Sequence, residues 1–222
     1  LLWQPKFCLP PQRSKMGIHS GTIEKDLGNW AMNVDTTTMR EKTQRMNVIC
    51  FGDSNTYGYD PRGYFGGRYE AGSRWVDILA AETGWTISNM GQNGREIPSA
   101  ASAFPNDTDL LIVMLGTNDL LQGCSPEQAA ERLERFLSGI PLDRRKILLI
   151  APPPMALGGW VPSQQLVDDS RTFARLCQAL AEQMGIRFAD AGKWNISLAY
   201  DGVHFTEQGH KAFVTGLLEE LK

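Results

Sequence analysis

From Met46 onward, short apolar runs alternate with amphipathic stretches. "NVICF" (47–51) predicts a strand. In "SRWVDILAAETG", Trp75, Ile78, Leu79 and Glu82 recur at helical spacing, and the stretch stops at Gly84. "WTISNM" (85–90) predicts a second strand, and "DLLIVML" (109–115), apolar almost throughout, a third. "SPEQAAERLERFLSG" opens with Ser125 as N-cap, Pro126 at the first helical position and Gln128 at the capping-box position. Its stripe is Ala129, Leu133, Phe136 and Leu137.

"KILLIA" (146–151) predicts a fourth strand. A long helix is expected over 163–184, with Leu166, Phe173, Leu176, Cys177, Leu180 and Met184 facing inward. "IRFAD" (186–190) gives a fifth strand, and "TEQGHKAFVTGLLEELK" a closing helix capped by Thr206. Strands that are apolar on both faces, alternating with helices, imply a parallel sheet covered on both sides. No internal repeat is evident.

Residues 1–45 break the pattern. They lack sustained apolar periodicity, contain Pro5, Pro10 and Pro11, and hold seven Lys/Arg against four Asp/Glu. We read them as an extension, mostly flexible or loosely docked, in which a short helix could pack on the body at 46–222. The opening "LLWQPKFCLPPQ" has no uninterrupted apolar h-region of the secretory kind. Met46 is a candidate start of the folded unit.

Composition narrows the function classes. At 222 residues the chain can bury a sizeable core, and no apolar run approaches the roughly 18 residues of a membrane span. A formal net charge of −3 argues against nucleic acid or an anionic membrane as the main partner. Cys8, Cys50, Cys124 and Cys177 are far apart, with no C-x-x-C pair. Buried free thiols are the expected reading, which favours a reducing, cytoplasmic compartment.

Ligands of an open parallel sheet bind beyond the carboxyl ends of its strands. "GDSNTYG" (52–58), "GQNG" (91–94) and "GTND" (116–119) follow the first three strands, and "DGVH" (201–204) lies a short loop past the fifth. A serine hydroxyl needs a neighbouring base to become a nucleophile. Of the histidines, His19 lies in the extension. His210 is about a turn into the last helix, where a solvated or helix-packing role is expected. His204 sits in the preceding loop with Asp201 three residues upstream. A carboxylate so placed can reach back to the imidazole Nδ1–H and leave Nε2 for Ser54. The backbone N–H groups of Ser54 and Gly94, with the Asn118 carboxamide, could supply an oxyanion hole. Each residue alone has an ordinary alternative: Ser54, Gly94 and Asp201 as turn formers, Asn118 in an Asx-turn, His204 as a helix-flanking polar residue. Their joint placement at one rim argues for a site.

"FGDSNTYG", "NMGQNG", "MLGTND" and "DGVHFTEQGH", in this order, resemble the four signature blocks of the SGNH (GDSL-type) hydrolase family. The resemblance spans essentially all of 46–222. It implies a flavodoxin-like three-layer α/β/α sandwich with a five-stranded parallel sheet, and ester hydrolysis without a metal or other cofactor. Ser54 is then nucleophile and first oxyanion donor, Gly94 and Asn118 the other donors, and Asp201 and His204 the rest of the triad. Asn55 stands where the GDSL motif has Leu, a position that varies in the family. "RWVDILA", "APPPMA" and "FADAG" look like the small bacterial arylesterase/acyltransferase branch. That branch acts on short acyl esters, has relatives that deacetylate carbohydrates, and is often homo-oligomeric.

The expected partner is therefore a small-molecule ester. The loops 59–75 and 151–163, rich in Gly, Pro and aromatics, are candidate acyl-pocket walls or subunit contacts. Two rival functions fit part of the pattern. A metal-dependent phosphoesterase would use Asp53, Asn118, Asp119, Asp201 and His204 as hard ligands. A non-catalytic carbohydrate-binding module would merely retain the scaffold. Asp53 and Asp119 are otherwise expected to hydrogen-bond loop amides near the site.

Overall fold

The structure is a computed structural model that describes residues 45–63, 67–100 and 103–222. The expectations for 1–45 lie outside the described residues, Arg45 apart. Five parallel strands form one sheet: β1 (Asn47–Gly52), β2 (Thr86–Gly91), β3 (Leu110–Met114), β4 (Ile147–Ala151) and β5 (Arg187–Asp190), in spatial order β2-β1-β3-β4-β5. Val48 pairs with Ile87 on one side and Leu110 on the other, and Leu111 pairs with Ile147. Gly52 is level with both Gly91 and Met114, so the strand ends deliver their loops to a common rim. The sheet order is that of a flavodoxin-like sandwich, as the signature blocks implied. Its topological switch point lies between β1 and β3.

Alternation along the strands divides the core between the two faces. Val48, Cys50, Leu110, Ile112 and Met114 pack with Trp75, Leu79, Phe213 and Leu217. Ile49, Phe51, Leu111 and Val113 pack with Leu133, Phe136, Phe173 and Cys177. One layer therefore comprises α2 (Trp75–Thr83) and α6 (Glu207–Glu220), the other α4 (Pro126–Ser138) and α5 (Gln164–Met184). Truncating a fully buried ring such as Phe136 would cost about 3–5 kcal/mol. The edge strand β2 alternates exposed and half-buried residues, and among the described residues no further strand pairs with its outer side.

The helix signals operate as expected at most ends. Ser125 and Gln128 complete the capping box of α4, and Ser163 and Thr206 cap α5 and α6. The stripe of α5 runs through Val167, Ser170, Phe173, Cys177, Leu180 and Ala181, leaving Leu166, Leu176 and Met184 half-buried at its margins. In α2 the buried residues are Trp75, Val76 and Leu79; Ile78 is half-buried and Glu82 exposed. Cys50, Cys124 and Cys177 are free thiols, and Cys8 lies outside the described residues. Among the described residues no helix is long and apolar enough to cross a membrane.

Two short helices and a hairpin are absent from the periodicity: α1 (Ser54–Tyr57), α3 (Thr117–Leu121), and Tyr59–Asp60 paired antiparallel with Gly67–Arg68. Both helices begin directly beyond a central strand. Their role is to turn polar side chains over the rim.

Candidate active site

The chain leaves β1 through Asp53, whose carboxylate accepts the Asn55 N–H at 3.0 Å and caps α1. This cap puts Ser54 in the first turn, where backbone N–H groups have no partner within the helix. Asp53 is fully buried, and burial pushes its carboxyl up to about 6, against the hydrogen bond from Asn55 and the charges of His204 and Arg95.

Asn55 joins this helix to the far end of the chain. Its Nδ2 donates to the Val203 carbonyl at 3.2 Å, and its Oδ1 accepts from the Phe205 N–H at 2.9 Å. Its own carbonyl accepts from the Trp75 indole at 3.0 Å. The residue between its two partners is His204. Ser54 Oγ lies 2.9 Å from His204 Nε2, and His204 Nδ1 lies 2.7 Å from Asp201 Oδ2. All three side chains are buried. The other Asp201 oxygen accepts from the backbone N–H groups of Val203, at 2.9 Å, and His204, at 3.0 Å. Burial raises the Asp201 pKa, but the hydrogen bonds from His204 and Val203 outweigh it and hold the carboxylate below its usual range.

The Asp201 loop is locked from outside by residues 156–161. Ala156 N–H donates to Gly202 O, Gly159 N–H to Tyr200 O, and Trp160 N–H to Asp201 O, at 2.9, 3.2 and 3.0 Å. Gly202 is required here: its φ is +81°, and a Cβ would lie 2.0 Å from the Ala156 carbonyl oxygen. Trp160 packs edge-on against the His204 ring at 5.1 Å between centroids, and Tyr59 lies at 4.5 Å.

Asn118 lies in the first turn of α3 and is almost buried; its Nδ2 donates to the Arg95 carbonyl at 3.0 Å. Gly94 is exposed in the turn after β2, at φ +70°, with open space among the described residues where a Cβ would stand. That leaves its backbone approachable. The two acids of the rim serve the loops. Asp53 caps α1, while Asp119 accepts from the Ile97 N–H at 2.9 Å and pairs with Arg132 at 3.0 Å. Among the described residues no three His, Cys, Asp or Glu side chains are grouped to hold a metal ion.

His210 does not join the site. It is fully buried, packs against Tyr69 and Phe205, and accepts the Trp75 N–H at Nδ1 at 3.4 Å. Of its two expected roles, helix packing is the one observed. The sequence marks Asn55 only as a variable motif position and Tyr59 and Trp160 only as members of two aromatic-rich loops, and Arg95 is not marked at all. Their importance lies in contacts with residues far along the chain, which periodicity does not encode.

The arrangement can do acyl-transfer chemistry. A buried hydroxyl faces an imidazole nitrogen, a carboxylate holds the other nitrogen, and hydrogen-bond donors surround the strand ends. Comparison with known proteins gives the same class. The model of the GDSL-like Lipase/Acylhydrolase family matches residues 50–212. No curated protein matches the chain. Among solved structures, the native aryl esterase of M. smegmatis is 27% identical, with a TM-score of 0.66 over 79% of this chain and 98% of that one. A carbohydrate acetylesterase family member from Sinorhizobium meliloti is 25% identical, with a TM-score of 0.67 over 79% and 97%. A member of the lipolytic protein G-D-S-L family from Veillonella parvula is 23% identical over 78% and 97%, with a TM-score of 0.60, and speaks for the fold alone.

Proposed function

Since the chain belongs to the GDSL-like Lipase/Acylhydrolase family and is a carboxylic ester hydrolase, we propose that Ser54 is its nucleophile and that short-chain acyl esters are its substrates. The observation that carries this reading is the continuous chain from Ser54 Oγ through the His204 ring to Asp201, at 2.9 and 2.7 Å.

The mechanism follows from those bonds. Asp201 accepts a hydrogen bond from Nδ1–H and so fixes the tautomer in which Nε2 is basic. As Ser54 Oγ attacks the ester carbonyl, Nε2 takes its proton, and Asp201 steadies the imidazolium. The carbonyl oxygen, now an anion, is held by the Ser54 and Gly94 N–H groups and the Asn118 carboxamide. Asn118 keeps a second amide hydrogen for this task while the first is bound to Arg95. His204 then returns the proton to the departing alkoxide. Water, activated in turn by His204, releases the acid; a second alcohol entering instead gives acyl transfer.

The alcohol half departs on the side of His204, where the surface is apolar. Leu157, Trp160 and Tyr200 are 61%, 53% and 75% exposed, a large fraction for such side chains; the first two lie on the segment that locks the Asp201 loop and Tyr200 on that loop itself. This rim favours an alcohol with a flat apolar face, which aryl alcohols and acetylated sugars share. The same patch suits a homo-oligomer contact. The free thiols among the described residues support a reducing, cytoplasmic setting.

The test is hydrolysis of a chain-length series of p-nitrophenyl esters and acetylated sugars by the protein and by Ser54→Ala. Turnover highest on short acyl groups and abolished by the substitution is expected. Undiminished turnover in Ser54→Ala rejects the reading.

A further inference from the structure

Oxyanion stabilisation is effective only when the donors are already fixed where charge will develop. Of the three proposed donors, the Ser54 N–H is held by α1. Gly94 stands in the turn after β2 and Asn118 in the first turn of α3, beyond a different strand, and among the described residues nothing outside its chain neighbours lies within 4 Å of where a Gly94 Cβ would be. Contacts at Gly94 itself therefore do not secure that turn, and its neighbours must.

We infer that Arg95 is a positioning residue for the oxyanion donors, tying the Gly94 turn and the Asn118 carboxamide to the end of β1 before substrate arrives. The inference rests on the serine-esterase reading above. Arg95 reaches every part concerned. Its N–H donates to the Gln92 carbonyl at 3.2 Å and closes the turn that carries Gly94. Its guanidinium donates through one terminal nitrogen to Gly52 O, at 2.9 Å, and to Met90 O, and through the other to Gln92 Oε1 at 3.0 Å. Gly52 is the last residue of β1, two before Ser54, and also accepts the Gln92 N–H at 3.1 Å.

The guanidinium carbon lies 4.2 Å from the centre of the buried Phe51 ring, so the plane of the group rests on the core. The Arg95 carbonyl, at the other end of the residue, accepts from Asn118 Nδ2 at 3.0 Å. One side chain thus binds the ends of β1 and β2 together, and its own backbone orients the third donor. A planar fork with several donors can do this; a lysine ammonium is a point charge and cannot reproduce the set. Burial lowers the Arg95 pKa somewhat, while the facing Asp53 carboxylate favours the charged form.

The test compares the protein with Arg95→Ala and Arg95→Lys, using p-nitrophenyl acetate kinetics and end-point titration of Ser54 with a serine-directed organophosphate. For Arg95→Ala the expected result is a kcat loss on the order of 10²-fold, the size of losing one oxyanion donor. KM should stay within about threefold, since the interaction belongs to the transition state. Ser54 should still titrate to completion, and millimolar guanidinium ion should restore part of the kcat. Arg95→Lys, which keeps the charge and much of the contact with Phe51, covers the case in which the Ala variant does not fold; it should show the same kcat-selective loss. Wild-type kcat in either variant, or a loss matched by fewer titratable serines, overturns the inference and leaves the esterase reading intact. A parent protein whose Ser54 is not labelled overturns both.

Discussion

Replacing Asp201 by Asn isolates what the carboxylate does. One Asp201 oxygen accepts two buried backbone N–H groups, from Val203 and His204, and the other accepts His204 Nδ1–H. An amide has only one acceptor oxygen. Turning its NH₂ toward the two N–H groups would strand both, at about 1–3 kcal/mol each. The amide oxygen therefore stays with the backbone, and the NH₂ faces Nδ1. The imidazole must then accept at Nδ1 and carry its proton on Nε2, which points at Ser54 Oγ. In that tautomer it cannot take the serine proton. Such a swap in a Ser-His-Asp triad costs about 10⁴ in turnover, or about 5 kcal/mol of barrier, while the loop keeps its hydrogen bonds. The assay is kcat for p-nitrophenyl acetate alongside a thermal melt. Near-native melting with turnover reduced about 10⁴-fold is expected. An Asn variant within tenfold of the parent would refute the tautomer argument.

Other consequences concern groups around the triad. Asn55→Ala removes the two side-chain bonds of Asn55 to the His204 loop and orphans two buried backbone groups, Val203 O and Phe205 N. A loss of about 2–6 kcal/mol in urea unfolding is expected, at about 1–3 kcal/mol for each orphaned group, with turnover falling as Ser54 and His204 lose their common anchor. His210 is held neutral by burial, its pKa lowered from 6.5 to about 3. Between these values the unfolded chain binds a proton that the folded chain refuses, so this residue makes stability fall as pH drops from 6.5 toward 3. His210→Phe, which keeps an aromatic ring between Tyr69 and Phe205, should flatten that limb in melts taken between pH 4 and 7. An unchanged slope would count against the assignment.

Different physical signals account for what could be read from the chain. The central strands β3 and β4 are apolar on both faces, which only a covered parallel sheet explains, and the caps at Ser125, Ser163 and Thr206 mark helix starts by local chemistry. The positions of Ser54, Gly94, Asn118 and Asp201 follow from the rule that loops leave such a sheet on one edge. What was hidden depends on distant partners. Asn55 looks like any polar residue after a serine until residues 203 and 205 meet it, 148 and 150 positions away. Arg95 looks like a surface cation until Phe51 lies beneath it. Trp160 and Tyr59 read as loop aromatics because nothing local brings them against His204. Four- and five-residue helices such as α1 and α3 are too short to show a period, and their starts are set by the strands they leave.

The bond between Ser54 and an acyl or phosphonyl group is the most direct measure of the proposed chemistry. Intact-mass and peptide analysis after reaction with a serine-directed organophosphate should find one adduct, on Ser54, formed in step with the loss of ester hydrolysis and absent from Ser54→Ala. An inactivated protein labelled elsewhere, or full activity with Ser54 modified, would contradict it.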